Sequence, residues 1–251
     1  MRLLTLARDL RRRRARERQS LFVAEGVRAV EELLRAPIAL RGALVAPTLE
    51  ETPRGRALRA DLESRDVQVL DVSAADFASA AETESPQGVL VVAEVPGRAW
   101  ADQPLPDSAR VLLLDGIQDP GNAGTILRTA AALGVHLTLA LPGTVDLWNA
   151  KVVRSAMGAL FAHPTASCTW DELDRFQSAQ ALTLWGADAG GTPLPDVGVA
   201  PARLALAVGN EGNGLSDALR ARASDLVALP IATESLNVAV AAGILLYELR
   251  A

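Results

Sequence analysis

Residues 112–134 read LLLDGIQDPGNAGTILRTAAALG and predict a strand, a turn and a helix in succession. The stretch begins with a short apolar run, which is typical of a buried strand, and continues into a helical pattern. Between the two, Asp119 to Asn122 form a turn, and Asn122 is a suitable N-cap for a helix over 122–133. Gly124 falls in the first turn of that helix, where glycine costs stability. We therefore expect a strand, a tight turn and a helix whose start is closely approached by backbone or by a ligand.

Strands and helices alternate on both sides of this stretch, which predicts an α/β protein. In the C-terminal half, strands are predicted at 111–115, 135–140, 181–186, 203–208 and 225–229, and helices at 122–133, 149–160, 170–178, 215–222 and 236–249. In the N-terminal part, strands are predicted at 21–26, 42–47, 67–72 and 88–95, and helices at 3–18, 27–36, 53–65 and 74–81. We expect a mostly parallel sheet in both parts.

A segment without periodicity separates the two parts. Residues 96–110 read PGRAWADQPLPDSAR and contain three prolines. Such a composition is typical of an interdomain linker. The sequence therefore predicts a smaller N-terminal α/β domain over 1–95, a linker over 96–110 and a second α/β domain over 111–251.

The composition is that of a soluble globular protein. Hydrophobic residues make up 49% of the 251 residues and charged residues 22%, and no apolar run is long enough to cross a membrane. The N-terminus lacks an uninterrupted signal-peptide core, so we expect a cytoplasmic protein. Cys168 is the only cysteine and excludes an internal disulfide. Because His136 and His163 are the only histidines, we expect no Cys/His metal site.

Positive charge is concentrated at the N-terminus, although the net charge of the chain is −5. Residues 1–20 contain eight arginines against Asp9 and Glu17, a local charge of +6. Such a cluster can neutralise the phosphates of a nucleic acid, but it can equally be the solvated face of an amphipathic helix. The candidates for RNA contacts are Arg11, Arg12, Arg13, Arg14, Arg16 and Arg18. Lys151 and Arg154, on one turn of the predicted helix 149–160, are two further candidates.

Two more stretches follow predicted strands. The first is AVGNEGNGLSD at 207–217, and the second is LPIATESLNVAVAAGILLYEL at 229–249. Open α/β sheets place their ligand sites at the carboxyl ends of strands. Gly209, Gly212 and Gly214 permit positive φ and close approach by a ligand, although a wide turn that binds no ligand would use the same residues. The spacing fits neither a Walker A loop nor Gly-x-Gly-x-x-Gly. The helix of the second stretch is apolar on all faces, which predicts burial in the core or against another subunit.

Taken together, the segments NAGTILR, AVGNEGNGL and LPIATESLNVAVAAGILLYE resemble the three ordered motifs of the SpoU-type RNA 2′-O-ribose methyltransferases of the SPOUT superfamily. The resemblance spans residues 111–250 in order and spacing. The stretches RQSLFVAEGVRAVEELL and SPQGVLVV resemble the substrate-binding domain that precedes the catalytic domain in many of these enzymes. The resemblance implies a trefoil-knotted α/β domain, a rare exception to unknotted topology. It also implies a homodimer formed through the knotted domain, whereas the lack of a long apolar run is the reason to expect no association with membranes.

The resemblance implies S-adenosylmethionine as the cofactor, bound in a bent form by backbone groups of the knot. The corresponding positions here are Gly209, Leu229, Ile231, Leu236 and Asn237. The sequence departs from the family pattern between Pro230 and Ser235, where PIATES is about two residues shorter than usual. This shorter loop affects the assignment of Leu229 and Ile231 to the cofactor site more than the assignment of Gly209 or Asn237.

The resemblance also implies which side chains take part in methyl transfer to a ribose 2′-hydroxyl. It assigns the catalytic role to Arg128. An ordinary arginine is protonated, so Arg128 either acts as a base after an unusual perturbation or orients a phosphate and stabilises the developing alkoxide. The other polar motif positions are Asn122, Glu211, Ser235 and Asn237. Asn122 and Ser235 are expected to contact ribose or phosphate, and Glu211 to orient Arg128 or a neighbouring amide; each is also a residue type that caps helices or closes turns.

Three other functions use a similar pattern. A nicotinamide-binding Rossmann protein shares the alternation of strands and helices but requires the missing Gly-x-Gly-x-x-Gly motif. A non-catalytic RNA-binding or ribosome-assembly protein would need none of the polar motif residues, which are intact. Within the enzymes, the N-terminal domain favours ribosomal RNA of the 23S class as the substrate, with transfer RNA as the alternative.

Overall fold

The computed structural model describes residues 3–65, 67–97, 99–102 and 104–250. They group into two compact units. The N-terminal unit comprises Met1–Gly97 together with Trp148–Ala162, and the C-terminal unit comprises Arg98–Leu147 together with His163–Ala251. Within the described residues, no helix is long and apolar enough to cross a membrane.

The N-terminal unit is built on a four-stranded sheet. Its strands are β1 (Leu21–Glu25), β2 (Leu40–Val45), β3 (Val69–Asp71) and β4 (Val89–Glu94), in the order β1-β4-β2-β3. The prediction of a mostly parallel sheet is wrong here. The fourth strand lies between β1 and β2 and runs antiparallel to both, so only β2 and β3 are parallel. Helices α3 (Val27–Arg35), α4 (Pro53–Glu63) and α5 (Ala74–Ala80) agree with the predicted helices.

The predicted helix 3–18 is two helices, α1 (Leu3–Asp9) and α2 (Arg13–Gln19). Arg16 explains the break. Its side chain is buried, and its Nη1 donates hydrogen bonds to the carbonyl oxygens of Leu10 (2.7 Å) and Arg11 (3.0 Å) in the turn between the helices. These carbonyls lie beyond the end of α1, where no helical N–H reaches them. Arg16 is therefore a structural residue of this turn.

Residues 148–162, predicted as part of the C-terminal domain, lie in the N-terminal unit. They form α7 (Ala150–Ser155) and α8 (Ala159–Ala162) instead of one helix. Met157 and Gly158 separate the two helices at φ values of 50° and 90°, which no α-helix accommodates. Aromatic packing holds the segment in this unit, because the ring of Phe22 in β1 lies 4.5 Å from that of Trp148 and 5.8 Å from that of Phe161.

The C-terminal unit contains a six-stranded parallel sheet. Its strands are β5 (Ala109–Asp115), β6 (Leu137–Ala140), β7 (Thr165–Ser167), β8 (Thr183–Pro193), β9 (Arg203–Gly209) and β10 (Asp225–Ala228), in the order β10-β8-β9-β5-β6-β7. Its helices are α6 (Pro120–Ala132), α9 (Trp170–Ala179), α10 (Asp217–Arg220) and α11 (Val238–Glu248). The sequence did not predict β7, a three-residue edge strand. The central strands β5 and β9 are buried along their length, which explains their continuous apolar runs.

Part of the predicted linker 96–110 packs onto the C-terminal unit. The Trp100 ring meets that of Phe176 edge-on, with centroids 5.1 Å apart. The backbone N–H of Leu105 donates to Oε1 of Gln180 at 2.9 Å. The last two residues of the segment belong to β5. The segment is therefore anchored to the C-terminal unit at Trp100, at Leu105 and at its last two residues.

Helix α11 has two different faces. Its buried face contains Ala239, Ala242, Leu245 and Leu246, and it packs against α6 and β9. Gly243 belongs to the same packing, since a Cβ there would lie 3.4 Å from the Thr129 methyl group of α6. The opposite face exposes three apolar side chains, those of Val240, Ile244 and Tyr247, at 52%, 41% and 53% of their surface. Within this chain, only one face of the apolar helix is buried.

Candidate active site

The three motifs follow strands β5, β9 and β10 at the carboxyl edge of the parallel sheet. Strands β5 and β9 are direct neighbours, and Asp115 pairs with Gly209 at their last position. The loops that follow the two strands therefore begin side by side. This is the position at which open α/β sheets bind ligands.

The loop after β9 is held by its own backbone. Asn210 and Gly214 form an antiparallel bridge, and Gly214 adopts a positive φ of 68°. A Cβ on Gly209 would lie only 2.3 Å from the Gly214 carbonyl carbon and 2.4 Å from the Leu215 nitrogen. Glycine is thus required at 209 by the fold of the loop. Of the three glycines expected to permit positive φ, only Gly214 uses it, and a Cβ on Gly212 would make only an ordinary contact of 3.7 Å with Asn210 Oδ1.

Glu211 connects this loop to the segment that follows β5. Its Oε1 accepts hydrogen bonds from the Asp119 backbone N–H (3.2 Å) and from Asn122 Nδ2 (3.1 Å), and its Oε2 accepts from the Gln118 N–H at 3.3 Å. Burial raises the pKa of Glu211, but the bonds from Asn122 and the backbone amides outweigh it, so the pKa lies below the ordinary value. Glu211 is therefore an ionised acceptor that orients the Asn122 amide.

Asn122 continues the connection to the third motif. Its Oδ1 accepts a hydrogen bond from Asn237 Nδ2 at 3.0 Å. Asn237 is the N-cap of α11, where its Oδ1 accepts from the Ala239 and Val240 N–H groups. The chain of contacts Glu211–Asn122–Asn237 thus joins all three motifs. Because Asn122 bonds to both neighbours, its Nδ2 and Oδ1 are assigned unambiguously.

The N-cap of α6 is Asp119, so the prediction that Asn122 caps this helix is wrong. The Asp119 side chain accepts from the Asn122 backbone N–H at 2.8 Å, and the helix begins at Pro120. Proline at the first helical position and aspartate before it are a favoured combination. Asn122 therefore sits in the first turn, and its side chain is left to bond with Glu211 and Asn237.

The loop between β10 and α11 is exposed from Pro230 to Asn237. Ile231 and Leu236 expose 40% and 37% of their surface, and Leu229 is half-buried. The Ser235 carbonyl oxygen accepts from the Thr233 hydroxyl at 3.3 Å. Among the described residues, the Ser235 hydroxyl has no hydrogen-bond partner. The loop thus presents two apolar side chains and one hydroxyl to solvent next to Asn237.

Arg128 is exposed on α6, six residues beyond Asn122. Six residues correspond to about 9 Å along a helix axis and to 240° around it. Arg128 therefore lies on the same helix as Asn122, further from the carboxyl edge of the sheet and on a different face.

The two histidines lie outside this site. His136 Nδ1 accepts from the Arg110 N–H at 3.2 Å, near the amino end of β5 and thus away from the carboxyl edge. His163 is buried, its Nε2 is 2.8 Å from the Thr138 hydroxyl, and burial lowers its pKa to about 4. Within the described residues, no cluster of three or more His, Cys, Asp or Glu side chains could hold a metal ion.

The residues predicted to contact RNA all belong to the N-terminal unit, whereas the three motifs belong to the C-terminal unit. Several of the N-terminal arginines are already bonded. Arg12 and Arg18 pair with Asp9, Arg13 pairs with Glu17, and Arg11 donates to the Ser79 carbonyl. Asp9 and Glu17 are already counted in the local charge of +6, so these pairs leave that charge in place, and Arg12 and Arg13 keep 81% and 59% of their side chains exposed. Arg14 and Lys151 are also exposed, whereas Arg154 is half-buried.

Two residues of the site were missed by the sequence analysis. Asp115 is buried at the end of β5, and its Oδ2 accepts from the Ser216 N–H at 2.6 Å, which fixes the start of α10. Asn210 donates to the Gly116 carbonyl at 2.8 Å, and its Oδ1 accepts from the Gly212 and Asn213 N–H groups. A polar residue that ends an apolar strand was the available signal for Asp115.

Known proteins match both parts of the chain. Residues 109–247 match the SpoU rRNA Methylase family, and residues 5–91 match the MRM3-like substrate binding domain. The chain belongs to the SpoU rRNA methylase family. The family predicted from the three motifs is thereby confirmed, as is an α/β fold with a parallel-sheet SpoU methyltransferase domain.

Individual relatives cover nearly the whole chain. The 23S rRNA (guanosine(2553)-2′-O)-methyltransferase RlmP of Bacillus subtilis (strain 168) is 35% identical over 244 residues, which covers 96% of this chain and 93% of that protein. The SpoU methyltransferase AviRb of Streptomyces viridochromogenes, solved in complex with the cofactor AdoMet, has a TM-score of 0.90 at 27% identity and covers 99% and 97% of the two chains. The AdoMet-bound rRNA methyltransferase of Sinorhizobium meliloti has a TM-score of 0.85 at 27% identity, covering 99% and 94%.

These similarities agree with the chemistry expected of the site. The RlmP name specifies 2′-O-methylation of ribosomal RNA, and AdoMet in the two solved structures is S-adenosylmethionine. The predicted enzyme class, an RNA 2′-O-methyltransferase, and the predicted cofactor, S-adenosylmethionine, are thus confirmed for the SpoU family.

Proposed function

We propose that this SpoU family member transfers a methyl group from S-adenosylmethionine to a ribose 2′-hydroxyl of 23S ribosomal RNA. The observation that carries the proposal is the contact chain Glu211–Asn122–Asn237, which unites the three motifs at the carboxyl edge of the sheet. An enzyme that must align a methyl donor and a hydroxyl needs such preorganised polar groups. The similarity to RlmP, named for 23S rRNA, favours this substrate.

The residues at the sheet edge fit an adenosyl cofactor. Small-molecule sites combine apolar walls with a few main-chain polar groups. Ile231 and Leu236 offer exposed apolar side chains, while Gly209, Leu229 and Asn237 mark the strand ends and helix start whose main-chain groups would hold the ligand. When bound, S-adenosylmethionine supplies an already activated methyl group. The loop over 230–235, shorter than the family pattern, gives this wall a different shape in the proposal.

The polar side chains have separate roles in this proposal. Asn122 and the Ser235 hydroxyl contact the ribose or its phosphate, and Glu211 positions Asn122 through the bond to its amide. Arg128 orients a phosphate of the RNA and stabilises the alkoxide that develops on the 2′-oxygen. The exposed position of Arg128 on α6 supports this role.

The proposal includes a homodimer formed through α11 in a knotted C-terminal domain. Val240, Ile244 and Tyr247 are spaced by four and three residues, so they form one exposed apolar stripe. Such a stripe on an otherwise apolar helix favours association with a second copy. The knot is what the resemblance of the three motifs to the SpoU-type enzymes implies, and the Asn237–Asn122 bond places the last loop of the chain beside the segment after β5.

The N-terminal domain binds the RNA substrate in this proposal. The match of residues 5–91 to a substrate binding domain supports the assignment. The exposed arginines Arg12, Arg13 and Arg14, together with Lys151, supply the positive charge that attracts phosphates.

The direct test is methyl transfer by the purified protein. Radiolabelled S-adenosylmethionine is supplied with unmodified 23S ribosomal RNA or with transfer RNA, and the product is digested with alkali, which leaves 2′-O-methylated linkages intact. We expect label in an alkali-resistant dinucleotide of 23S RNA, and its loss with Asn122→Ala. The control is Asn213→Ala, an exposed asparagine of the loop after β9 whose side chain lies outside the contact chain. Label on transfer RNA alone would reassign the substrate, and S-adenosylmethionine binding without transfer to either RNA would contradict the proposal.

A further inference from the structure

A cavity in the N-terminal unit brings together the two sequence stretches that the candidate active site does not use. It has a volume of about 290 Å³. LFVAEGVR contributes Glu25 and Arg28, and the segment around SPQG contributes Thr83, Ser85 and Gln87. Arg154 of α7 lines the same cavity. All of these residues belong to one compact unit.

The one carboxylate in the cavity wall is occupied by its own loop. Glu25 is buried, and it accepts hydrogen bonds from the Glu82 N–H (2.8 Å), the Thr83 N–H (3.4 Å) and the Thr83 hydroxyl. These bonds satisfy the charge of Glu25 and fix the loop over 82–83. Arg28 and Arg154 line the cavity together with this single carboxylate, so the charged groups lining the cavity have a net charge of +1.

Arg154 has an unsatisfied donor at this cavity. Its Nη1 is buried and has no hydrogen-bond partner among the described residues. A buried donor without a partner is costly, and one on a charged group is especially so. Because Arg154 lines the cavity, an acceptor bound there lies beside the residue that carries this unsatisfied donor. The neighbouring Met157, which also lines the cavity, holds a positive φ of 50°, a strained conformation for a side chain other than glycine.

The start of α3 provides further donors at the same cavity. The Val27 N–H is already bonded to Gln87 Oε1 at 2.9 Å. The N–H groups of Arg28 and Ala29 belong to the first helical turn, where no carbonyl of the helix can reach them. Helix starts favour negative charge through the helix dipole. The cavity therefore combines two cationic side chains, an unsatisfied buried donor and first-turn amides, which together favour an anion.

We propose that this cavity binds one phosphate group, held by Arg28, Arg154 and the first turn of α3. A guanidinium pairs well with phosphate oxygens, and Ser85 adds a hydroxyl donor. The phosphate belongs either to the RNA substrate or to a small phosphorylated molecule. The first source rests on the proposed function, and the second does not.

The test measures phosphate binding and RNA binding separately on the full chain. Inorganic phosphate is titrated into the protein by calorimetry, and unmodified 23S ribosomal RNA is titrated by filter binding at several salt concentrations. The variant is Arg154→Met, which keeps the apolar stem and removes the charge. Arg154→Lys keeps the charge, and Arg41→Met removes one exposed charge that is paired with Glu94 elsewhere in the same unit.

We expect Arg154→Met to weaken phosphate binding about tenfold or more, the loss typical of a charge-assisted hydrogen bond. Arg154→Lys should restore most of it, and Arg41→Met should leave it unchanged. If the phosphate is part of the RNA, the salt dependence of RNA binding also becomes shallower by about 0.7 to 0.9 in log–log slope. Loss of phosphate binding with unchanged RNA binding would assign the cavity to a small phosphorylated molecule.

The proposal is overturned if wild type binds no phosphate, or if Arg154→Met and Arg41→Met, both folded, bind phosphate as wild type does. Thermal unfolding of each variant establishes folding, and Arg154→Lys decides the matter should the methionine variant not fold. Failure of the wild type to methylate RNA would contradict the proposed function alone, because the phosphate titration requires no methyl transfer.

Discussion

Removing the charge of Glu211 should destabilise the C-terminal unit by an amount that depends on pH. Glu211 accepts three hydrogen bonds, from the Gln118 and Asp119 N–H groups and from Asn122. A hydrogen bond to a charged group contributes about 1.5–3 kcal/mol when buried, but the Glu211 side chain is exposed, so we assign about 0.5 kcal/mol to each. Glu211→Gln keeps one acceptor oxygen and places an amide donor against backbone N–H groups. We expect a loss of about 1 kcal/mol in the free energy of unfolding at pH 7.

The pH dependence of this loss follows from the lowered pKa of Glu211. A carboxyl whose pKa is lower in the folded protein stabilises the fold above its unfolded pKa, and this stabilisation disappears as the pH falls through the folded value. The ordinary value is 4.5, and Glu211 lies below it because the bonds from Asn122 and the backbone outweigh the effect of burial. The difference between wild type and Glu211→Gln should therefore persist from pH 7 to pH 5, and close below pH 4.5.

Equilibrium unfolding in urea at pH 7 and in the acid range measures this difference. The buried Trp185 of β8 reports on the C-terminal unit by fluorescence. Glu234→Gln is the matched control, because Glu234 lies in the exposed loop before α11 and makes no hydrogen bond or ion pair with the described residues. Two results would refute the assignment of Glu211 as an ionised acceptor. One is an equal free energy of unfolding for wild type and Glu211→Gln at pH 7. The other is a loss of stability in Glu211→Gln that is as large below pH 4.5 as at pH 7.

Three further predictions concern the cofactor, the dimer and the RNA. Gly209→Ala should reduce S-adenosylmethionine affinity, measured by calorimetry, at least about tenfold, because the new Cβ would lie 2.3 Å from the Gly214 backbone. Gly212→Ala is the control and should keep the affinity, since its Cβ would meet nothing closer than 3.7 Å. Equal affinities of the two variants would refute the packing argument. Tyr247→Asp places a charge in the exposed stripe of α11 and should yield monomers in analytical ultracentrifugation, and an unchanged dimer would exclude this face. Neutralising Arg11–Arg14 should weaken RNA binding and flatten its salt dependence while cofactor affinity stays the same; an unchanged slope would remove this segment from the interface.

The C-terminal unit was largely predictable from the sequence because its central strands, β5 and β9, are buried on both faces. Runs such as VLLLD and RLALAV can only be central strands or buried helices, and the glycine-rich turns that follow them mark their ends. The three motifs then fix the order of the elements. Strand β7 (Thr165–Ser167) escaped because a three-residue edge strand has no periodicity.

The N-terminal unit was less predictable because its organisation depends on contacts distant in sequence. Nothing local distinguishes β4, which lies antiparallel between β1 and β2, from a strand of a parallel sheet. The return of residues 148–162 to this unit depends on aromatic packing against Phe22. The break between α1 and α2 depends on Arg16, whose charge suggested exposure although it bonds two carbonyls.

The site was predicted as a set of residues but not as a network. The motifs indicated Asn122, Glu211 and Asn237, and the structure joins them by hydrogen bonds. Which amide bonds to which carboxylate depends on the distance between three loops, which a linear sequence does not contain. Asp119 was overlooked as the N-cap of α6 for a local reason. Asp119 and Asn122 are both good capping residues, and the sequence alone does not say at which of them the helix begins.

The most direct test of the central claim is a map of 2′-O-methylated nucleotides in the host. The gene is deleted, 2′-O-methyl positions are profiled across ribosomal and transfer RNA, and the strain is complemented with wild type or with Arg128→Ala. We predict that one 23S position loses its methyl group and that wild type, but not Arg128→Ala, restores it. An unchanged profile in the deletion strain, or full restoration by Arg128→Ala, would contradict the account.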